Sequence, residues 1–161
     1  MTEAQGMLAP MLSSDRMDWE TPPDLFADLE AEFGPFDLDV AATAATAKTA
    51  RYFTPEDDGL AQMWLGTCWC NPPYRRQIGR WIAKAHAEAE AGNATTVLLI
   101  PSRTDTAYWH EHVVKADIVR FLRGRVKFWR DGEPMKVNAP FPSAVVVFRA
   151  WTALEIAGDA R

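Results

Sequence analysis

One stretch of this sequence constrains the fold more than any other: residues 67–74, which read TCWCNPPY. Its first four residues predict a short strand. Pro72 and Pro73 require that strand to end, because proline has no amide hydrogen to donate and a fixed φ. The residue before each proline is also held in extended geometry. We therefore expect a rigid loop at the carboxyl end of a strand, which is the edge of an open α/β sheet where ligands bind.

This loop offers two hydrogen-bond acceptors and an aromatic ring. The Asn71 side-chain oxygen and the Pro72 carbonyl are acceptors on a backbone that cannot swing away. Such a pair suits an exocyclic NH2 group, because accepting both hydrogens localises the nitrogen lone pair for attack on an electrophile. Tyr74 offers a flat face, and base–aromatic stacking contributes about 1–3 kcal/mol per base. The alternative is structural: a turn that closes a strand, with Tyr74 as a partly buried anchor.

The rest of the chain alternates between strand and helix patterns, which predicts βαβ crossovers and a mainly parallel sheet in a single α/β domain. A first helix is expected after an N-cap at Thr21 and ends at Gly34-Pro35. Two more are predicted over residues 77–91 and from Thr104 or Asp105 to about Lys115. Residues 43–66 are read mostly as loop. The predicted strands cover residues 36–42, 67–70, 95–100, 118–122 and 143–151.

Asp39 stands out near the end of the first predicted strand, where small residues follow it. A carboxylate in that position can bind the ammonium group of a methionine moiety or the hydroxyls of a ribose. The alternative is a cap for the next turn. The sequence has no Gly-x-Gly-x-x-Gly motif, so it does not predict a loop for dinucleotide phosphates. That absence fits a cofactor without phosphates.

The net charge of −5 conceals an uneven distribution. Residues 1–60 carry 3 basic and 13 acidic side chains, whereas residues 61–161 carry 14 basic and 9 acidic ones. Such asymmetry suits a phosphate-contacting face on an acidic protein, although any single basic residue is by itself an ordinary solvated side chain. The basic side chains form two groups, Arg75, Arg76 and Arg80, and then Arg120, Arg123, Arg125, Lys127 and Arg130.

The length of 161 residues suits one domain. We expect a loose arm over residues 1–17, a domain over 18–152 and a tail over 153–161. The sequence shows no membrane-spanning run, secretory signal or zinc-ligand set, and it predicts no metal site. Cys68 and Cys70 are expected to point to opposite faces of one strand without a disulfide. Together these features favour a reducing, cytoplasmic setting.

Several motifs, taken in order, resemble those of the phage-type DNA N6-adenine methyltransferases, the Dam-like enzymes of bacteriophages and prophages. The tetrapeptide NPPY is one form of the (Asp/Asn/Ser)-Pro-Pro-(Tyr/Phe) motif of amino-methyltransferases. The resemblance covers about residues 18–150. It rests on Trp19-x-Thr21-Pro22, Asp37-x-Asp39-Val40-Ala41-Ala42, Asp58-Gly59-Leu60 with Trp64, the tetrapeptide, a strand ending in Pro101, and Arg123-Gly124-Arg125-x-x-Phe128.

The resemblance implies a reduced Rossmann-like class I methyltransferase fold, with a mainly parallel sheet and an antiparallel C-terminal strand. It implies S-adenosyl-L-methionine as cofactor and double-stranded DNA as partner, in a bacterial host cytoplasm if the gene is phage-borne. The catalytic loop would be Asn71, Pro72, Pro73 and Tyr74. The implied cofactor-binding residues are Trp19, Thr21, Pro22, Asp39 and Ala41. The nucleic-acid contacts would be Arg75, Arg76, Arg123 and Arg125.

Several alternatives stay open at this point. The tetrapeptide equally suits cytosine N4, RNA guanine N2 or a protein glutamine amide, and a non-catalytic nucleic-acid-binding remnant is a further possibility. Trp19 would either cover a bound base or act as a hydrophobic staple for the first helix. The glycine-rich loop of larger methyltransferases is replaced by Val40-Ala41-Ala42-Thr43, and we expect no separate target-recognition domain in these residues. The oligomeric state is open, with a homodimer as one option.

Overall fold

The computed structural model describes residues 19–159. Its first helix begins at Pro23, the second of two prolines, where the missing amide hydrogen costs nothing, and is capped at its C-terminus by Gly34. The second carries its apolar residues on one face, as predicted. The helices are α1 (Pro23–Phe33), α2 (Ile78–Glu90), α3 (Ala107–Glu111) and α4 (Ala153–Asp159), with a 3-10 turn at Val113–Lys115.

The strands form a five-stranded sheet and a small hairpin, in the order β1-β2-β3-β7-β4 for the sheet. β1, β2 and β3 are parallel, and β7 runs antiparallel to both β3 and β4. Four strands of the five therefore point the same way. The sheet strands are β1 (Leu38–Asp39), β2 (Gly66–Cys70), β3 (Ala94–Pro101), β4 (Ile118–Phe121) and β7 (Ser143–Phe148); the hairpin strands are β5 (Trp129–Arg130) and β6 (Glu133–Pro134).

Both faces of the central strands are covered, which explains why β3 and β7 read as continuous apolar runs. α2 and α3 pack on one face, where Ile82 and Trp109 meet Leu98 and Val146. α1 and the segment 126–141 cover the other face. Because the four co-directional strands end at one edge, the loops that follow β1, β2, β3 and β4 gather there.

Several local predictions need correction. Thr21 does not cap α1: Pro22 occupies the N-cap position, and no side chain caps the helix. The third helix begins at Ala107, later than predicted, and changes to a 3-10 turn after His112. The last strand ends at Phe148, before Trp151. The two thiols lie on the same face of β2, because alternate residues of a strand share a face, and both are free.

The domain prediction is partly outside the described residues, since the arm 1–17 lies there. The predicted tail contains α4, a helix that was not predicted from the sequence. Within residues 19–159, no helix combines the length and the apolar character needed to cross a bilayer.

Candidate active site

The carboxyl edge of the sheet brings five of the residues singled out in the sequence around one narrow cleft. β1 ends at Asp39 and β2 ends just before Asn71, and these strands are hydrogen-bonded neighbours. Chain segments distant in sequence supply the other walls. The lining residues already predicted are Trp19, Thr21, Asp39, Ala41 and Asn71; Glu20, Thr46, Lys48 and Trp69 join them.

Asp39 is a buried carboxylate with only 2% of its surface exposed. Its Oδ1 accepts the Ala41 amide at 3.3 Å, and its Oδ2 accepts the Lys48 amide at 3.0 Å. Burial raises the pKa of Asp39 to about 7, against the opposing effect of these amides and the Lys48 charge. A buried carboxylate with two donors and spare lone pairs is suited to a cationic or hydroxyl-bearing ligand.

Thr21 lies close by and is almost fully buried. Its carbonyl accepts the Lys48 ammonium at 3.2 Å, while its hydroxyl has no hydrogen-bond partner among residues 19–159. An unpartnered buried hydroxyl costs about 1–3 kcal/mol, so a polar ligand group in the cleft would compensate for it. Pro22, predicted beside Thr21 as a cofactor contact, does not line this cleft and lies in a separate groove.

Asn71 is fixed by one hydrogen bond to a distant segment. Its Nδ2 donates to the Trp19 carbonyl at 3.1 Å, and this bond defines which end of the amide faces the cleft, because a carbonyl can only accept. No donor in the described part of the chain binds Oδ1 or the Pro72 carbonyl. Pro73 follows with its carbonyl taken by the Arg75 amide at 2.9 Å. The two acceptors predicted from the sequence are therefore unused.

Tyr74 is held as an anchor. Its hydroxyl donates to the Leu99 carbonyl at 3.0 Å, and burial holds the pKa of this phenol well above its usual value. The ring makes edge contacts with Trp19, Phe128 and Phe141 at centroid distances of 5.5–5.9 Å. This geometry matches the structural alternative named above, and stacking of Tyr74 on a substrate remains a prediction.

Trp19 belongs to the same aromatic cluster. It lies 5.6 Å from Phe128 and stacks on Phe141 at 6.3 Å, and its Nε1 is buried without a hydrogen-bond partner in the described part of the chain. The next residue, Glu20, pairs with Trp129 through two backbone hydrogen bonds of 2.8 and 2.9 Å. Trp19 is thus half-buried against this aromatic cluster, and its ring contacts are not those of a staple for α1.

A second, larger cleft of about 590 Å³ shares Ala41 with the first. Its outer wall, residues 53–60, belongs to a region for which the sequence predicted mostly loop. The segment 51–53 in fact runs beside β1, where the Phe53 amide donates to the Asp39 carbonyl at 2.9 Å. The apolar and polar lining includes Phe53, Thr54, Pro55, Asp58, Leu60 and Trp81. The two clefts flank the end of β1 and suit the two halves of one elongated ligand.

A comparison with known protein families identifies the family of this chain. A model described as "DNA N-6-adenine-methyltransferase (Dam)" matches residues 9–157. The chain belongs to the Dam family.

Two relatives are similar over parts of this Dam-family chain. The "DNA N-6-adenine-methyltransferase" of Escherichia phage T1 is 33% identical over 95 residues, which is 58% of this chain and 39% of the phage protein. The "Putative methyltransferase YfdM" of Escherichia coli K12 is 40% identical over 63 residues, 35% of this chain and 69% of that protein. The match spans well under half the length of the phage relative.

Gly59 is a cleft residue of this Dam-family chain that tolerates no side chain. A Cβ there would collide with the Val40 carbonyl oxygen and lie 3.1 Å from the Trp81 ring. We expect Gly59→Ala to lower the free energy of unfolding by about 1–3 kcal/mol through overpacking. Gly158→Ala is the matched control, since nothing lies within 4 Å of that position. Chemical denaturation measures both, and equal stability of the two variants would contradict this close packing.

The basic residues predicted for DNA are distributed over two places. Arg75 and Arg76 are exposed directly after the loop of residues 71–74, and Arg75 lines the larger cleft. Arg123 and Arg125 are exposed beyond β4 and line a separate groove. Arg120, counted with this second group in the sequence, instead forms a two-bond ion pair with Glu32 at 2.6 and 2.7 Å.

Proposed function

We propose that this protein transfers a methyl group from S-adenosyl-L-methionine to the exocyclic N6 amino group of adenine in DNA. The observation that carries the proposal is the orientation of Asn71. Its Nδ2 is used by the Trp19 carbonyl, so its Oδ1 remains as an acceptor beside the cleft that contains Asp39. Membership of the Dam family supports the same chemistry.

The strand arrangement supports a reduced Rossmann-like class I methyltransferase fold. Three parallel strands are followed by an antiparallel C-terminal strand that lies between β3 and β4. Beyond β1, where a longer sheet would continue, the segment 51–53 is the one part of residues 19–159 that pairs with the edge. A ligand at the carboxyl ends of β1 and β2 then sits where open α/β sheets bind their ligands.

The two clefts fit the cofactor by their chemistry. Asp39 and the unpartnered Thr21 hydroxyl suit the ammonium and carboxylate of its amino-acid half. Phe53, Leu60 and Trp81 give the larger cleft an apolar wall for a purine, and Asp58 gives it an acceptor for hydroxyl groups. Ala41 lines both clefts and leaves room between them. When bound, S-adenosyl-L-methionine supplies a methyl group activated by its sulfonium.

The chain's own contribution is to position the amine. Asn71 Oδ1 and the Pro72 carbonyl accept the two N6 hydrogens, which turns the nitrogen lone pair towards the neighbouring cleft. These hydrogen bonds strengthen as positive charge develops on the nitrogen, so they stabilise the transition state more than the ground state. No protein base is needed before transfer, and the extra proton leaves to solvent afterwards. The target adenine reaches the loop by leaving the base stack, at a cost of a few kcal/mol.

Incubation with labelled S-adenosyl-L-methionine and plasmid DNA, followed by nucleoside analysis, tests the proposal. We expect label in N6-methyldeoxyadenosine. Transfer to DNA lacking adenine would instead indicate cytosine N4, and label in RNA or protein alone would indicate guanine N2 or a glutamine amide. If calorimetry detects no binding of S-adenosyl-L-methionine at millimolar concentration, the chain is a non-catalytic remnant and the proposal fails.

Substitutions of Tyr74 separate its ring from its hydroxyl. We expect Tyr74→Phe to lower stability by about 1 kcal/mol, because the Leu99 carbonyl loses its donor, and to keep most of the methyl transfer. Tyr74→Ala removes three ring contacts and is expected to reduce kcat/KM by about a hundred-fold or more. Steady-state kinetics with thermal unfolding of both variants checks this. Equal losses of activity would show that the ring has no role beyond its hydroxyl.

A further inference from the structure

An open groove of about 830 Å³ lies beside the candidate active site, and the proposed function does not use it. One wall is the start of α1, with Pro22, Asp24 and Leu25. The other wall is the segment that follows β4 and leads into the hairpin. It supplies Arg123, Arg125, Lys127 and Trp129, together with Leu122 and Val126.

The second wall has a regular alternation. Val126 and Phe128 are buried, whereas Arg125 and Lys127 are exposed and Trp129 is half-buried. In an extended segment alternate side chains share a face, so Arg125, Lys127 and Trp129 stand in a row about 7 Å apart. Backbone hydrogen bonds hold the segment in place: the Ala139 amide donates to the Val126 carbonyl and the Met135 amide to the Phe128 carbonyl, each at 2.8 Å.

We infer that this groove binds the DNA strand next to the target nucleotide, with Arg125 and Lys127 on successive phosphates and Trp129 stacked on a flanking base. This inference rests on the proposed function. The spacing of the cations is comparable to that of neighbouring phosphates along one strand. A row of cations that ends in an aromatic ring is how proteins commonly follow a nucleic-acid strand.

The position of the groove agrees with this occupant. Between Lys127 and Trp129, the side chain of Phe128 points the other way and contacts Trp19 and Tyr74 of the active-site cluster. On the opposite wall, Thr21 lines the active-site cleft while the adjacent Pro22 lines the groove. A strand that places one nucleotide at the site can therefore continue over this rim into the groove.

The charges of the groove favour an anion. Three cationic side chains face one carboxylate, that of Asp24. Glu20 lies near the hairpin, and its carboxylate is used by the Gly132 amide at 3.2 Å. The lining also includes the apolar side chains of Leu25, Leu122 and Val126. Contact with the flat faces of bases and sugars would remove these side chains from water.

Binding of a fluorescent DNA duplex at several salt concentrations tests the inference. The wild type is expected to show log Kd rising linearly with log salt. The double variant Arg125→Gln, Lys127→Gln is expected to reduce that slope by about 1.8, which corresponds to two phosphate contacts at about 0.9 each. Lys115→Gln is the matched control, because Lys115 precedes β4 and lies at the opposite edge of the sheet. Its slope is expected to equal that of the wild type.

Trp129→Leu provides an independent measurement. Loss of stacking is expected to weaken binding by about 5- to 100-fold without changing the salt slope. The backbone pairing of Trp129 with Glu20 is retained by any side chain, so thermal unfolding should show a folded protein.

The outcomes separate the inference from the proposed function. If the wild type methylates adenine in DNA and the double variant keeps the wild-type slope, the groove assignment is overturned and the proposed function stands. If the double variant loses affinity for single-stranded RNA and not for duplex DNA, the groove has a different partner and the inference also fails. If the wild type neither methylates nor binds DNA, both fail together.

Discussion

Asn71→Ala is expected to reduce the rate of methyl transfer to DNA by about a hundred- to a thousand-fold. The substitution removes the side-chain acceptor that orients the N6 amine, and removing one oriented hydrogen-bonding group from an active site typically has an effect of this size. It also removes the 3.1 Å bond to the Trp19 carbonyl, which should lower stability by about 1 kcal/mol. Cofactor affinity should change little, because Asp39 and Thr21 are untouched.

Asn71→Asp provides a control that keeps an oxygen in the acceptor position. Its second oxygen would face the Trp19 carbonyl, which offers no hydrogen, so the variant loses that contact while retaining the acceptor. We expect transfer at a rate between those of the wild type and the alanine variant. Single-turnover kinetics, with cofactor affinity measured by calorimetry, distinguishes these effects. Unchanged turnover in Asn71→Ala would remove this residue from the chemistry.

The local rules of the chain were sufficient to predict the elements that carry the site. The proline pair ends β2 where expected, and Asp39 lies at the end of the neighbouring strand. These predictions succeed because proline and strand periodicity act over a few residues. The family membership also matches the resemblance seen in the ordered motifs.

What the sequence did not predict depends on contacts between distant residues. The Asn71 bond to Trp19 joins positions 52 apart, and the Lys48 amide reaches Asp39 across a loop without periodicity. Thr21 looked like a helix cap, yet Pro22 takes that position, and the Thr21 hydroxyl is buried at the site. Arg120 looked like part of a DNA-binding group until its pairing with Glu32 was visible. None of these contacts leaves a pattern in the residues nearby in the sequence.

Asp39→Asn is expected to weaken binding of S-adenosyl-L-methionine by about a hundred- to several-thousand-fold. We place the cofactor ammonium beside this carboxylate, and truncating one partner of a buried ion pair costs about 3–5 kcal/mol. Because the wild-type side chain is 2% exposed, solvent offers little compensation. Calorimetry measures the affinity. An unchanged Kd would mean that Asp39 caps the following turn, which is the alternative reading of its two amide contacts.

The pH dependence of binding gives a second signature of the same residue. In the free protein, burial raises the pKa of Asp39 to about 7, so this group is partly protonated near neutral pH. Pairing with an ammonium requires the ionised form, and binding must release the proton. Affinity is therefore expected to fall as the pH drops below 7, approaching tenfold per unit. Calorimetric titrations of the cofactor in buffers of different ionisation enthalpy should detect proton release from Asp39 in the wild type. The Asp39→Asn variant should lack this release.

The stability of the free protein should change in the opposite direction with pH. The pKa of Asp39 is near 3.8 in the unfolded chain and about 7 in the folded one, so between these values the folded state binds the extra proton. The raised pKa of Asp39 makes its full stabilising contribution to the free energy of unfolding below about pH 4. It is lost as the pH rises through 7, with a limiting slope of about 1.4 kcal/mol per unit. Asp39→Asn should lack this component, and the difference between the two unfolding curves isolates it. If the cofactor ammonium pairs with Asp39 as proposed, the bound cofactor offsets the cost of burying this ionised carboxylate at neutral pH.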